Sequence, residues 1–500
     1  MSLFRQTRRA FLSFWEKHPA LWIGLSLLLG TSYAFNPLPL FVAIWGVLAL
    51  CVQNKRAVLW GLLACSGAYI GATLRHPTTL LAQEKVSGKG RFHITEVKPY
   101  SSPFNHSILY KGTLLYFEEE TGNCYNKLPC ALYLPMNGSH PVANTDYEIQ
   151  GTLSQKGPYA FVLKPEKNRT WEPLPSFLNL SAWRFATKQQ LFQHLKTQFQ
   201  DPKVLSLLYS LTSGHVDERV LKMEFNKLGL QHILAISGFH FALFALFLGG
   251  LLKLFLPHKI SLVLLLLGLS AYALFLGNSP AIQRAFIAIS VVVIGKLLER
   301  RSSGLNALGI GIIAELLLSP LSVLELGFQL SFLCTLAILL FYPTMQTALG
   351  KLFEKREARE VLRMPLVHQH GYLLCSFFRT SLALNLAVHF ISIPVLLYQF
   401  HRFPLLSIAY NLFFPAALSL SMFLLFFAFL LFPLLPLASH WIHQVNHAWT
   451  AGLLSLTSNP PAFLDLSFRT QALTLSWVLC FLTSSFLLGI FFFKKERGIS

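Results

Sequence analysis

Long apolar runs dominate this chain, and a helix needs roughly 18 to 25 such residues to cross about 30 Å of hydrocarbon. The clearest are Leu262 to Leu276 with its flanks and Ser476 to Phe493. Apolar segments open the chain at Pro19 to Phe35, Leu38 to Cys51 and Val58 to Leu74, parted by Asn36-Pro37-Leu38-Pro39 and the basic Asn54-Lys55-Arg56. They resume at Leu230 to Leu256, Ser261 to Leu276, Ile282 to Leu298, Leu305 to Leu318, Leu326 to Tyr342, Leu373 to Leu397, Leu406 to Leu435, His440 to Leu456 and Leu475 to Phe493. One soluble core cannot absorb so many. At His440 to Leu456 two readings stand: a span, or an interfacial helix beside a re-entrant Leu406 to Leu435.

Between the two series the pattern changes. From Gln83 to Trp171 apolar residues alternate with polar ones, in runs bounded by Gly, Pro, Asn and Ser. Strands are expected at Arg91 to Lys98, His106 to Phe117, Pro129 to Pro135, Asp146 to Leu153 and Tyr159 to Lys164. Short strands in that number suit a small OB-type barrel, among other small β folds. Leu174 to Lys227 reads as amphipathic helices, including Trp183 to Phe199 and Asp201 to Leu211, placed on the outer surface. The expected fold is an α-helical polytopic membrane protein with an inserted extracytoplasmic OB-type β-barrel. Its parts are residues 1–80 (N-terminal helices), 81–172 (β domain), 173–227 (interfacial helices), 228–435 (main membrane domain) and 436–500 (C-terminal segments and basic tail).

Composition agrees. Hydrophobic residues make up 53% and charged residues 13%, and the mean hydropathy is +0.51. The net charge of +19 has two sources to choose between, nucleic-acid binding and the positive-inside rule. Its clusters, Arg5 to Arg9, Lys55 to Arg56, Lys351 to Arg363 and Lys494 to Arg497, each abut an apolar run, as topology requires. Placing them inside, with Lys253 to Lys259 and Glu299 to Arg301, puts both termini in the cytoplasm and the β domain outside. Ser32-Tyr33-Ala34 offers a cleavage-like site, but the spans that follow make the start an uncleaved signal anchor.

Chemistry concentrates at Gly229-Leu230-Gln231-His232-Ile233-Leu234-Ala235-Ile236-Ser237-Gly238-Phe239-His240, where polar residues interrupt a span. Buried polar groups in lipid are costly unless paired or wet. Two readings follow for His232, Ser237, Gly238 and His240: small-residue helix packing with imidazoles bonded to backbone, or a polar pathway. Arg284, Gln329, Ser331 and Asn411 pose the same choice between interhelical bonds and a wet lining, and Arg284 could also snorkel. Glu315 and Glu325 read as interfacial. Cys124 and Cys130 lie in the outside domain, where a disulfide and free thiols stand as equal alternatives. His368 and His370 sit in a basic loop without further ligands, so no metal and no cofactor are expected.

The string HILAISGFHF at 232 to 241 resembles the signature of the ComEC competence family, H-L-L-A-[IV]-S-G-L-H. Ser279-Pro280-Ala281-Ile282-Gln283-Arg284-Ala285, Asn306-Ala307-Leu308, Ser319-Pro320, Gly327-Phe328-Gln329-Leu330-Ser331-Phe332 and the stretch from Ile393-Pro394 through Phe403-Pro404 to Asn411 and Pro415 agree in order. The likeness covers about Leu228 to Leu435. It implies an OB-type N-terminal domain and a channel for single-stranded DNA in the bacterial cytoplasmic membrane. His232, Ser237, Gly238, His240, Arg284, Gln329, Ser331 and Asn411 then become candidates for the DNA pathway. The resemblance further implies an outer DNA receptor and a cytoplasmic helicase-like motor, beside membrane lipid; one or two copies of the chain could form the pore. Many relatives add a metallo-β-lactamase-like domain; no His-x-His-x-Asp-His ligand set occurs here, so the short form is expected. The motor is sought elsewhere because the chain has no Gly-x-x-x-x-Gly-Lys-[Ser/Thr] loop. Tyr110, Tyr116, Phe117, Tyr133 and Phe161 could stack bases or fill the barrel core. The rivals are a small-solute transporter, which would show inverted repeats, and an intramembrane hydrolase using Ser237 with His232 or His240. The expectation is transport without catalysis.

Overall fold

The computed structural model describes residues 14–52, 54–75, 84–102, 105–120, 122–135, 146–157, 159–166, 172–174, 180–214, 219–234, 238–277, 280–300, 303–352, 354, 356–458, 467–470 and 473–496. Arg5 to Arg9, Ser237, Ser279, Arg301 and Arg497, singled out above, lie outside them. The chain is a polytopic helical membrane protein carrying a small barrel. Helices α1 (Pro19–Phe35), α2 (Pro39–Leu50) and α3 (Lys55–Arg75) lead. At 12 residues, or ~18 Å, α2 is an apolar helix shorter than the usual membrane-crossing length.

The barrel strands are β1 (Lys85–Ser102), β2 (Asn105–Glu119), β3 (Cys124–Pro135), β4 (Asp146–Gly157) and β5 (Ala160–Pro165), with a short β6 (Glu172–Leu174) on β4. Their order β1-β2-β3-β5-β4 closes through β1–β4, and β3–β5 is the parallel pair. Closure removes the free edges an open sheet would expose. Phe92, Ile94, Tyr110, Leu114, Phe117, Leu132, Leu153 and Leu163 fill the interior at 3% exposure or less.

Helices α4 (Leu180–Gln198), α5 (Pro202–Ser213) and α6 (Arg219–Lys227) link the barrel to the main bundle. Every residue of α5 from Val204 to Ser213 is buried within the protein. Its Ser210, Thr212 and Ser213 hydroxyls donate to carbonyls a turn back, at 2.7 to 3.1 Å, which lets a polar face enter an apolar core. That core joins α5 and α6 to α15 and α16, introduced below.

The bundle continues with the single-turn α7 (Gln231–Leu234), α8 (Gly238–Phe255), α9 (His258–Leu276), α10 (Pro280–Leu297), α11 (Gly304–Leu318) and a 3-10 turn at Pro320–Leu324. Then come α12 (Leu326–Leu352), α13 (Ala358–Leu362), α14 (Leu366–Phe400), α15 (Leu406–Leu431), α16 (Pro436–Ser458) and α17 (Leu475–Glu496), with β7 (Arg402–Pro404) paired to β8 (Ser467–Arg469). Among the described residues seven helices are long and apolar enough to cross a membrane: α3, α8, α9, α12, α14, α15 and α17. Helices α1 and α11 are shorter but meet backbone to backbone. A Cβ on Gly309 would lie 2.3 Å from the carbonyl carbon of Ala20, so only glycine permits that crossing.

Candidate functional site

The span expected from Leu230 to Leu256 is described in two pieces, α7 and α8, with Ala235, Ile236 and Ser237 outside the described residues. Gly229 ends α6 at a φ of 69°, a left-handed conformation that favours glycine, and any Cβ there would press within 2.8 Å of Ser407 Cβ. This turn sets α7 against the start of α15 and so fixes His232. The His232 side chain keeps exposed surface. His389 and His240 lie within electrostatic reach of it, and His240 is buried.

His389 Nδ1 is 2.9 Å from the Asn385 carbonyl, which can only accept, so Nδ1 carries the proton and Nε2 is left as an acceptor. Nε2 lies 3.5 Å from Ser407 Oγ. Asn411 Nδ2 donates to the Ser407 carbonyl at 2.8 Å and to its Oγ at 2.9 Å. Asn385 Nδ2 donates to the Ile408 carbonyl at 2.6 Å, leaving its buried Oδ1 without a partner. His232, His240 and Asn411 are thus brought to one polar zone between α7, α8, α14 and α15. Sequence reasoning missed Asn385, His389 and Ser407; the available signal was the i, i+4 polar pair 385/389 inside an otherwise apolar run. Ser407 beside His389 has the residue types of a nucleophile and base, but Ser407 is 3% exposed and already accepts from Asn411.

Arg284, Gln329 and Ser331 lie in a second zone, where α10, α11 and α12 converge. Gly238, at the start of α8, joins the zones, because a Cβ on it would sit 3.6 Å from Ala285 Cβ. Arg284 is 5% exposed, donates through Nη2 to the Gly327 carbonyl at 3.0 Å, and lies over the Phe328 and Phe332 rings at 5.8 and 5.4 Å. It does not snorkel. Its Nε and Nη1 have no partner. Glu315, 1% exposed, accepts from Ser322 Oγ at 3.2 Å and leaves Oε2 without a partner. Glu315 is thus buried within the protein, while Glu325 is exposed. Gln329 Nε2 donates to the Val323 carbonyl at 2.9 Å, and half-buried Ser331 receives the Thr335 hydroxyl on its carbonyl. These two are interhelical and intrahelical ties, respectively.

On the barrel, Tyr110, Phe117 and Phe161 are core, whereas Tyr116 and Tyr133 are 40% and 42% exposed. Cys124 and Cys130 are free thiols on the same strand. Six residues of extended chain separate their Cα atoms by ~20 Å, far beyond the 4.4 to 6.8 Å of a disulfide, so the pairing held open from sequence is corrected. Burial pushes the Cys130 thiol up to about 12. Asp146 binds Arg91 through Oδ2 at 2.9 Å from Nε and His93 through Oδ1 at 2.5 Å. Burial works to raise the Asp146 carboxyl, but these bonds outweigh it and hold it below the usual carboxylate range. No cluster of three or more His, Cys, Asp or Glu able to hold a metal occurs among the described residues.

The competence protein family model matches residues 212–497, a stretch that contains both polar zones. ComE operon protein 3 of Bacillus subtilis (strain 168) is 29% identical over 218 residues, 42% of this chain and 24% of that protein. The uncharacterized protein YcaI of Escherichia coli (strain K12) is 30% identical over 189 residues, 34% of this chain and 25% of that one. The chain thus spans about a quarter of the length of these relatives. No solved structure matches.

Proposed function

This chain belongs to the competence protein family, and from that premise we propose that it conducts single-stranded DNA across the bacterial cytoplasmic membrane during natural transformation. The observation that carries the reading is the match at 212–497, which brackets every buried polar residue of the two zones. DNA bears one charge per nucleotide, and a single ion at a bilayer centre costs about 2.5 to 3.5 kcal/mol on the gentlest scale. A strand therefore needs a hydrated path. His232, with His389, Ser407 and Asn411 nearby, supplies polar groups where hydrocarbon would otherwise exclude phosphate.

In this reading the barrel lies outside the cell and both termini inside. An outer receptor delivers DNA and a cytoplasmic helicase-like motor draws it in. Tyr116 and Tyr133, exposed on the barrel, stack bases on arrival in this reading. Labelled-DNA uptake in a deletion strain is the test: DNA should remain bound at the surface while internal single strands disappear. Normal internal strands would refute the proposal and favour a small-solute transporter.

A further inference from the structure

Arg284 and Glu315 are both buried beyond nine-tenths, carry opposite charges and feel each other electrostatically, yet form no ion pair. Each keeps unused capacity: two N–H-bearing nitrogens on the arginine and one carboxylate oxygen on the glutamate. A buried charge left in this condition is expensive, and a pair held apart is stable only if water or a ligand completes it. We propose that Glu315 is the resident counter-ion of Arg284, and that the guanidinium accepts a phosphodiester of the passing strand only when Glu315 is protonated. The inference rests on the passage reading above and adds the competitor that controls it.

The surroundings allow both states. The Gly327 carbonyl and the Phe328 and Phe332 rings hold the guanidinium whatever faces its remaining nitrogens. Ser322 donates to Glu315 Oε1 and favours its ionised form. The other charged groups nearby are Glu325, at the start of α12, and Arg75, whose Nη1 donates to the Leu317 carbonyl at 2.7 Å from the end of α3. A phosphate arriving at Arg284 adds a further negative charge beside the carboxylate, which promotes uptake of a proton from water. One proton binds as one phosphate binds.

The full chain in lipid nanodiscs should therefore bind a fluorescent single-stranded oligonucleotide more tightly as pH falls. Glu315→Gln should tighten binding at neutral pH by about tenfold, the ratio that 1.4 kcal/mol represents, and flatten the pH profile. Arg284→Met should weaken binding, and Arg284→Met with Glu315→Gln should match Arg284→Met alone. An unchanged affinity and pH profile in Glu315→Gln overturns the proposal. Should that variant not reach the membrane, Ser322→Ala serves instead: losing the hydroxyl makes the carboxylate easier to protonate, so tight binding should persist to higher pH, and an unmoved profile counts against the proposal. No binding by the unaltered chain would instead sink the passage reading. A melting cycle then still decides the pairing: if Glu315→Gln restores stability lost in Arg284→Met the counter-ion stands, and if the losses add it falls.

Discussion

Asp146 shows how a single carboxylate reports on the barrel. Because its folded-state titration is held low, its stabilisation is present above the ordinary carboxylate range and is lost as pH falls through and below that range. The group is partly exposed and screened, so the effect should stay within about 1 kcal/mol. Hydrogen exchange of β1 and β4 in the full chain should accelerate on acidification, and Asp146→Asn should remove that acceleration. The two barrel cysteines give a second check: a maleimide should label exposed Cys124 in the intact protein and leave Cys130 untouched until denaturation. Labelling of both at equal rates would contradict the strand placement. Legibility at this scale was uneven. His232, His240 and Arg284 stood out because charged or imidazole groups in apolar runs are rare. Ser407, Asn385 and His389 stayed hidden because their meaning depends on α14 and α15 touching, which spacing along one helix cannot reveal.

Elements were easier to read than their surroundings. Alternation located all five barrel strands, since one face of each packs inward, but not their full lengths: β1 runs Lys85–Ser102 where Arg91 to Lys98 was expected, and β3 begins at Cys124 rather than Pro129. Burial of α5 was not legible, because its polar residues enter the core through bonds that sequence does not show: the Ser210, Thr212 and Ser213 hydroxyls donate to the preceding turn and need no external partner. Asp201 caps this helix, its Oδ1 accepting from the Lys203 and Val204 amides at 2.8 and 3.4 Å. Asp201→Ala should cost about 1 kcal/mol of stability, measurable as a lowered melting temperature in detergent. At the α1–α11 crossing, Gly309→Leu should cost more, about 1 to 3 kcal/mol or beyond, because backbone stands where the side chain would go. Reduced membrane abundance, with no change in any surviving molecule's DNA preference, is the expected result.

For the whole molecule the test is sidedness. A periplasm-active reporter fused at Gly122 should be active and one fused after Lys351 silent; the opposite pattern would invert the proposed orientation. Helix lengths leave room for parts outside hydrocarbon: α14, at 35 residues, extends ~52 Å against about 30 Å of bilayer core. Helix α4 bears on how the molecule works as a machine. Arg184 and Lys188 donate to the Leu274 and Leu276 carbonyls at 2.8 and 2.9 Å, clamping α4 to the end of α9, whose hairpin partner α10 holds Arg284. Only residues 175–183 lie between Arg184 and the short β6 that pairs with the barrel's β4. A pull on the barrel therefore has a short tether through which to reach the α9–α10 hairpin.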